Sequence, residues 1–127
     1  MNEPRIAPIV KRLTQAQLGR YAAASGDFNP IHIDPEFAKT TPFGGTIAHG
    51  MLILAVMSEM MTAAFGERWL EGGKLDVRFR APARPGDTVT ARAGSVSGDE
   101  GTLKYSVECV NQNDEVLISG TAQVPSA

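Results

Sequence analysis

An apolar run at residues 46–65, TIAHGMLILAVMSEMMTAAF, constrains the fold more than any other part of this sequence. Only His49 and Glu59 in the run can carry a charge, and apolar side chains fall on every side of a helical wheel. A helix of this kind must be buried on nearly all sides. We predict that it begins at residues 48–50 and ends before Gly66, because helices favour glycine just after their last turn.

A membrane span is the alternative interpretation of this run, since a span needs about 20 mostly apolar residues. Three features argue against a span. Glu59 lies mid-run, small and hydroxyl-bearing residues are frequent, and no basic flank or aromatic belt surrounds the segment. We therefore predict the core helix of a globular domain, with no membrane association.

Length and composition favour a single domain over residues 1–127, because a chain of 127 residues can bury a core without disulfides. The net charge of −2 comes from mixed acidic and basic residues, so no nucleic-acid surface is predicted. Cys109 is the single cysteine, which excludes an internal disulfide and favours a reducing compartment. It lies in a strand-like pattern and is predicted to be a buried structural thiol. With no apolar leader at the N-terminus, we expect a cytoplasmic protein.

Beyond Gly66 the apolar residues recur at every second position, which is typical of strands with one buried face. Turn-forming sequences rich in Gly, Pro, Asn and Asp separate four such segments, at residues 74–80, 88–93, 103–109 and 116–124. The pattern predicts a four-stranded antiparallel meander with one apolar face. Residues 5–12 contain two prolines, which predicts an edge strand or an extended lead-in.

Two shorter helices are predicted before the apolar run. Thr14 and Gln17 match a capping box, and the helix that they begin should end near Gly26. Asp34 followed by Pro35 predicts the start of the second helix. The expected fold is α+β, with a curved antiparallel sheet wrapped around the long helix, because the sheet face and the helix both need apolar cover. A helix that is apolar all round also predicts a dimer, in which a second subunit covers its open flank.

The segment DFNPIHI, at residues 27–33, contains the side chains best suited to chemistry. Its Asn-Pro pair is a turn signal, because proline disfavours helix at the preceding residue, so we predict an ordered loop. If Asp27 and His32 lie side by side, the carboxylate and the imidazole can share one water and exchange protons with it. Asn29 can hold the loop through side-chain hydrogen bonds to the backbone. An inert turn has the same sequence character, and the residues alone leave both interpretations open.

His49 and Gly50, at the start of the apolar helix, also allow two interpretations. One is a simple helix N-terminus, with glycine for a tight entry. The other is an anion hole, because the Gly50 N–H has no intrahelical acceptor and its missing Cβ lets a ligand approach. The helix dipole favours negative charge there, and such a donor could stabilise the oxygen of an enolate or a thioester carbonyl.

Three motifs between Tyr21 and Met51 carry a resemblance to one known family, and the resemblance covers nearly the whole chain. They are Y-x3-S-G-D-x-N-P-I-H from Tyr21 to His32, the P-E-F-A segment that follows, and A-H-G-M at residues 48–51. This combination resembles the MaoC-like, (R)-specific enoyl-CoA hydratases, also called the hydratase 2 family. The resemblance implies the hotdog fold, in which a curved antiparallel sheet surrounds a long central helix.

The resemblance also implies an activity and a set of site residues. The expected enzyme is a hydro-lyase that adds water to a trans-2-enoyl thioester, giving the (R)-3-hydroxyacyl thioester, or catalyses the reverse dehydration. The expected partners are an acyl-CoA or acyl-carrier-protein thioester and a second copy of the chain, with no metal or redox cofactor. The positions that match the family's site are Asp27, His32 and Gly50 for catalysis, and Asn29, His49 and Ser58 for substrate binding.

Two alternatives remain at this stage. Hotdog thioesterases sometimes place a catalytic carboxylate on the central helix, so thioester hydrolysis becomes the better interpretation if Glu59, and not Asp27, lines the cleft. Glu59 has a structural interpretation too, as a partner of an arginine or of solvent at a subunit edge. The second alternative is a heteromeric hotdog dehydratase, in which this chain would be the catalytic member of a pair.

Overall fold

The computed structural model of the protein describes residues 3–127 and contains five helices and five strands within that range. No helix in this described part of the chain is long and apolar enough to cross a membrane. In chain order the elements are β1 (Ile9–Arg12), α1 (Gln15–Ser25), α2 (Pro30–Ile33), α3 (Pro35–Ala38), α4 (Gly50–Phe65), α5 (Glu67–Gly72), β2 (Lys74–Phe79), β3 (Thr88–Asp99), β4 (Thr102–Val110) and β5 (Val116–Pro125).

The strands form one antiparallel sheet in the order β1-β3-β4-β5-β2. The predicted edge strand is confirmed, since β1 lies at one edge and pairs with β3. Strands β3, β4 and β5 form the expected meander. The predicted position of β2 is wrong, because β2 pairs with β5, with Val77 opposite Gly120, and forms the other edge of the sheet.

The connection from β2 to β3 crosses from the β2 edge of the sheet to the far side of β4 and β5. On the way, residues 80–87 contact the start of the central helix. The Ala48 N–H donates a hydrogen bond to the Ala83 carbonyl at 2.7 Å, two residues before α4 begins. The Gly86 N–H donates to the Leu13 carbonyl at 2.8 Å. The turn predicted between these strands is present. Its position depends on contacts with α4 and with the β1–α1 connection, which sequence periodicity cannot reveal.

Helix α4 has the bounds that the apolar run predicts, Gly50–Phe65. Its inner side packs against β1, β3 and β4, and Met57, Met60 and Met61 on that side have no exposed surface. Within a single chain the predicted burial on nearly all sides is incomplete, because one flank of the helix is open, as the expectation of a covering second subunit requires. Residues on that flank recur every four positions and so form one stripe: Met51, Ala55, Glu59 and Ala63.

The capping predictions for the short helices are confirmed. Thr14 Oγ1 accepts from the Gln17 N–H, and the Gln17 side chain accepts from the Thr14 N–H, so both halves of the capping box are present. Gly26 follows α1 with a φ of 80°, in the left-handed region that favours glycine. Asp34 caps α3 by accepting from two amides of its first turn.

Helix α5 is one of the elements that the sequence pattern does not predict. It has 6 residues between two glycines, too few for a helical period to be recognised. Its Trp69 is buried, and the indole Nε1 donates to Ser58 Oγ at 3.1 Å. Helix α5 therefore packs against the C-terminal half of α4.

Cys109 lies on β4 with no exposed surface, which confirms the predicted structural thiol. Its Sγ lies 3.8 Å from the Ile53 carbonyl of α4. Burial, with a smaller contribution from the Glu108 carboxylate, raises the pKa of Cys109 to about 12. A thiol that stays protonated and enclosed is a poor nucleophile, so it takes no part in the chemistry considered below.

Candidate active site

The segment between α1 and α3 is organised by hydrogen bonds from its own side chains. The Asn29 N–H donates to Asp27 Oδ1 at 3.2 Å, and the Ile31 N–H donates to Asn29 Oδ1 at 3.1 Å. Asn29 thereby caps the single helical turn of α2. The prediction of a loop through residues 27–33 is wrong in this respect, because Pro30 occupies the first helical position, where proline is well tolerated.

The structure brings the side chains of Asp27 and His32 together. His32 Nε2 lies 3.8 Å from Asp27 Oδ2, which is too long for a hydrogen bond but suits a water or substrate oxygen placed between them. The His32 side chain is 12% exposed and that of Asp27 is 53% exposed, so the pair opens to solvent on the carboxylate side.

The second ring nitrogen of His32 identifies its tautomer. Nδ1 lies 2.8 Å from the Ile47 carbonyl oxygen, which can only accept, so Nδ1 carries a hydrogen. In the neutral ring, Nε2 is therefore the free base on the side of Asp27. The main chain of His32 is held as well, because Gln15 Nε2 donates to its carbonyl at 2.8 Å, and Gln15 Oε1 accepts from the Thr46 hydroxyl.

His49 lies behind this pair as the N-cap residue of α4. Its ring stacks on the His32 ring with centroids 3.8 Å apart, and the Tyr21 ring contacts it edge-on at 4.8 Å. His49 Nε2 lies 3.0 Å from the Asp27 carbonyl oxygen and must therefore be the donor. The residue is 2% exposed, which favours a supporting role over direct contact with a substrate.

Gly50 is the first residue of α4 and is exposed. Its N–H belongs to the first turn, where amides have no intrahelical acceptor. Gly50 directly follows His49, whose ring stacks on that of His32. A Cβ on Gly50 would lie 3.0 Å from Cε1 of Phe79, so the aromatic ring borders the surface of this glycine. Phe79 was expected on the buried face of the sheet, but it is 56% exposed and belongs to the rim of the site.

Ser58 and Glu59 lie about two turns further along α4, roughly 12–14 Å from Gly50 at about 1.5 Å per residue. Ser58 Oγ accepts from the Trp69 indole, so this hydroxyl already has a partner within the chain. Glu59 lies on the exposed flank and forms an ion pair with Lys11, Nζ to Oε2 at 3.1 Å. The structure thus groups Asp27, His32 and His49, with Gly50 next to His49 in the chain, and places Ser58 and Glu59 about two turns further along α4.

Asp27, His32 and His49 also have the chemistry of metal ligands, with one donor atom from each within 4.8 Å of the others. The hydrogen bonds already described argue for proton transfer instead. His49 Nε2 uses its hydrogen on the Asp27 carbonyl, and its Nδ1 is buried. The arrangement therefore suits acid–base chemistry better than a metal ion, and the expectation of no metal or redox cofactor stays a prediction.

Two contributors to the site, Gln15 and Phe79, were not predicted from the sequence. Gln15 bonds to residues 17 and 31 positions away, and no local pattern signals such a partner. Phe79 occupies a regular apolar position in β2, and only the path of the chain after β2 places it beside Gly50. Tyr21 stands in the motif that carries the family resemblance, but its contact with His49 is also a tertiary feature.

An antiparallel sheet that packs around a long central helix defines a hotdog-fold protein. A family model described as "MaoC like domain" matches residues 1–116. The chain therefore belongs to the MaoC-like domain family, and the resemblance derived from the motifs is confirmed.

Individual relatives agree with this assignment. The chain is 37% identical to an (R)-specific enoyl-CoA hydratase from Rhodospirillum rubrum, with 98% of this chain and 87% of the relative covered. It is 32% identical to the (R)-specific enoyl-CoA hydratase of Aeromonas caviae, with 93% and 90% covered. The solved structure titled (R)-hydratase from A. caviae involved in PHA biosynthesis superposes with a TM-score of 0.79, at 29% identity, over 100% of this chain and 98% of that one. The hotdog fold and the hydro-lyase class predicted from the sequence are confirmed by these relatives.

Proposed function

We propose that this protein is an (R)-specific enoyl-thioester hydratase, which adds water to a trans-2-enoyl thioester and also catalyses the reverse dehydration. The observation that carries the proposal is the 3.8 Å separation of Asp27 Oδ2 and His32 Nε2, with the ring of His49, the residue before the first amide of α4, stacked on His32. We further propose that residues 1–127 act as one domain in the cytoplasm.

Each polar group has a defined part in the proposed reaction. A water held between Asp27 and His32 gives one proton to this pair while its oxygen attacks the β-carbon. The pair then delivers one proton to the α-carbon, so that H and OH are added across the double bond. His32 takes part through Nε2, because Nδ1 is committed to the Ile47 carbonyl. The Gly50 N–H donates to the thioester oxygen while negative charge develops there.

The remaining residues of the proposed site shape it around the thioester. Asn29 keeps Asp27 in place through its amide, and His49 supports His32 from behind. Ser58 lies further along α4, where an extended acyl chain would run if its thioester oxygen were at Gly50. We propose a carrier thioester, either acyl-CoA or acyl-carrier protein, as the substrate, with no redox cofactor.

We also propose that the working form is a homodimer. The open flank of α4 begins at Met51, which is 57% exposed, and Phe79, which borders the preceding Gly50, is 56% exposed. Exposed apolar side chains grouped in this way are typical of an interface. A second copy of the chain that covers this stripe would bury the apolar side chains of α4 that are exposed in the single chain. Co-purification with a different hotdog chain, together with inactivity of the protein alone, would instead favour the heteromeric alternative.

The function is tested by incubating the purified protein with trans-2-enoyl-CoA thioesters of graded length, starting with crotonyl-CoA, and with the matching acyl-carrier-protein thioesters. We expect loss of the conjugated double bond and formation of the (R)-3-hydroxyacyl thioester, scored by chiral chromatography. A thiol reagent should detect no release of free CoA. Thiol release without hydration would contradict the proposal and support a thioesterase.

The Gly50→Ala variant tests the proposed oxyanion donor. The added methyl group would meet Cε1 of Phe79 at 3.0 Å and would stand over the amide. Because the Phe79 ring is exposed it can move aside, and alanine is favoured in helices, so we expect little loss of stability. We expect kcat/KM for crotonyl-CoA to fall by roughly 10- to 100-fold. Alanine keeps the amide N–H and its methyl group only hinders the approach of the thioester oxygen, so the loss should be smaller than the roughly 100- to 1,000-fold that complete removal of an oxyanion donor costs.

Gly45→Ala is the matched control for this experiment. It makes the same change five residues earlier, where the added Cβ would meet only the Arg84 side chain at an ordinary 3.8 Å. We expect its kcat/KM to stay within about threefold of the unmodified protein, since it removes no group that contacts the reacting atoms. Equal activity of the Gly50→Ala variant and this control would contradict the role given to the Gly50 amide.

A further inference from the structure

His49 contacts both halves of the proposed site at once. Its Nε2–H donates to the Asp27 carbonyl at 3.0 Å, and its ring lies against the face of His32 at 3.8 Å. Its main chain leads directly into Gly50, the first residue of α4. The Asp27–His32 pair and the Gly50 amide come from separate segments, and His49 is joined to both.

Helix capping does not account for this side chain. Residues at the N-cap position normally accept a hydrogen bond from an amide of the first turn, and Ser, Thr, Asp and Asn do so best. The His49 side chain makes no such bond. Its Nδ1 is buried and has no hydrogen-bond partner among residues 3–127, which is a cost that structures rarely accept without another role for the group. The interactions that account for a histidine here are therefore the hydrogen bond from Nε2 to Asp27 and the stacking of the ring on His32.

We propose that His49 is a positioning residue that sets the distance between the Asp27–His32 pair and the Gly50 amide. The proposal rests on the hydratase function given above. It adds the residue that keeps the Asp27–His32 pair and the Gly50 amide at a fixed separation. The hydrogen bond from Nε2 fixes the main chain at Asp27, so that the carboxylate stays opposite His32. The stacked ring limits the tilt of His32, and Tyr21 supports His49 from its other side. A displacement of about 1 Å between reacting groups can lower a rate by 100-fold, so a residue that touches no substrate can still control kcat.

Two substitutions separate the hydrogen bond from the ring. In His49→Gln, the side-chain amide can place its nitrogen close to the position of Nε2 and so keep a donor for the Asp27 carbonyl. In His49→Phe, the ring remains to stack on His32, but the donor is lost. Val124→Ala is the stability control, because Val124 is fully buried near the end of β5 that lies away from Phe79.

We expect His49→Phe to lower kcat for enoyl-CoA hydration by roughly 10- to 100-fold, with KM changed by less than about threefold. His49→Gln should recover most of the lost kcat, to within about fivefold of the unmodified protein. Val124→Ala should lower the melting temperature without a comparable loss of kcat. A rise in KM with unchanged kcat in the His49→Phe variant would mean that His49 binds substrate, and it would overturn the proposal. Equal kcat in the unmodified protein and the His49→Phe variant would overturn it too.

A measurement that does not need activity separates this proposal from the hydratase assignment. The amides of Asn29 and His32 are held by hydrogen bonds within the segment that His49 anchors. Hydrogen exchange of these amides should be at least about tenfold faster in His49→Phe than in His49→Gln. If the unmodified protein does not hydrate enoyl thioesters, the hydratase assignment fails, and the exchange comparison still decides whether His49 positions this segment. Equal exchange in the two variants would overturn the positioning role.

Discussion

Replacing Asp27 with asparagine is expected to lower kcat/KM for crotonyl-CoA hydration by roughly 1,000-fold while the fold remains intact. The effect follows from the loss of the charged oxygen that faces His32 Nε2, since a positioned acid or base contributes about 100- to 10,000-fold. The fold should persist because the new side-chain oxygen can still accept from the Asn29 N–H, as Asp27 Oδ1 does. Steady-state kinetics and circular dichroism measure the two effects separately.

Asp34→Asn is the matched control, because Asp34 is a second carboxylate close to the site. It caps α3 and does not belong to the Asp27–His32 pair, so its loss of charge should leave kcat/KM within about threefold. His32→Gln should cost about as much as Asp27→Asn, and the double variant little more than either, because groups that act as a unit are not additive. Substantial activity in both single variants would remove the mechanism.

The largest effect on stability is expected from Gly120→Ala, in the middle of β5. Gly120 lies opposite Val77 of β2, and an added Cβ would stand 2.7 Å from the Val77 Cα and against the Asp76 carbonyl. These are main-chain atoms, which cannot rotate aside as a side chain can. We expect a loss of about 3 kcal/mol or more in the free energy of unfolding, or about 10 °C in Tm. The activity should fall with it, because β2 leads into the segment that holds Ala48 before Gly50.

Gly98→Ala is the control for this substitution. It places the same methyl group in another strand of the sheet, β3, where the nearest atom is Leu103 Cδ2 at an ordinary 3.8 Å. We expect its effect on the free energy of unfolding to stay within about 0.5 kcal/mol. Thermal unfolding followed by circular dichroism gives both values. A Tm of Gly120→Ala within 2 °C of that of Gly98→Ala would show that the β2–β5 pairing can open at little cost.

Local signals in the sequence were sufficient for much of the fold. The Thr14–Gln17 capping box, the Asp34 cap and the bounds of α4 each depend on residues within one or two helical turns, and all are confirmed. The side-by-side placement of Asp27 and His32 also depends on a short segment. The two residues are five positions apart, and Pro30 between them restricts the conformations of the backbone. Helix α5 was missed because 6 residues between glycines carry no recognisable period.

The sequence by itself determined that an apolar helix forms the centre of this protein and that an acid and an imidazole precede it, because hydrophobic period and capping act between neighbours in the chain. Only the tertiary structure decided which strand lies beside β5, which aromatic ring borders Gly50, and that His49 joins Asp27, His32 and the head of α4. These are contacts between residues up to 49 positions apart in the chain. Their geometry depends on how the sheet closes over the helix, and no local pattern of residues encodes that path.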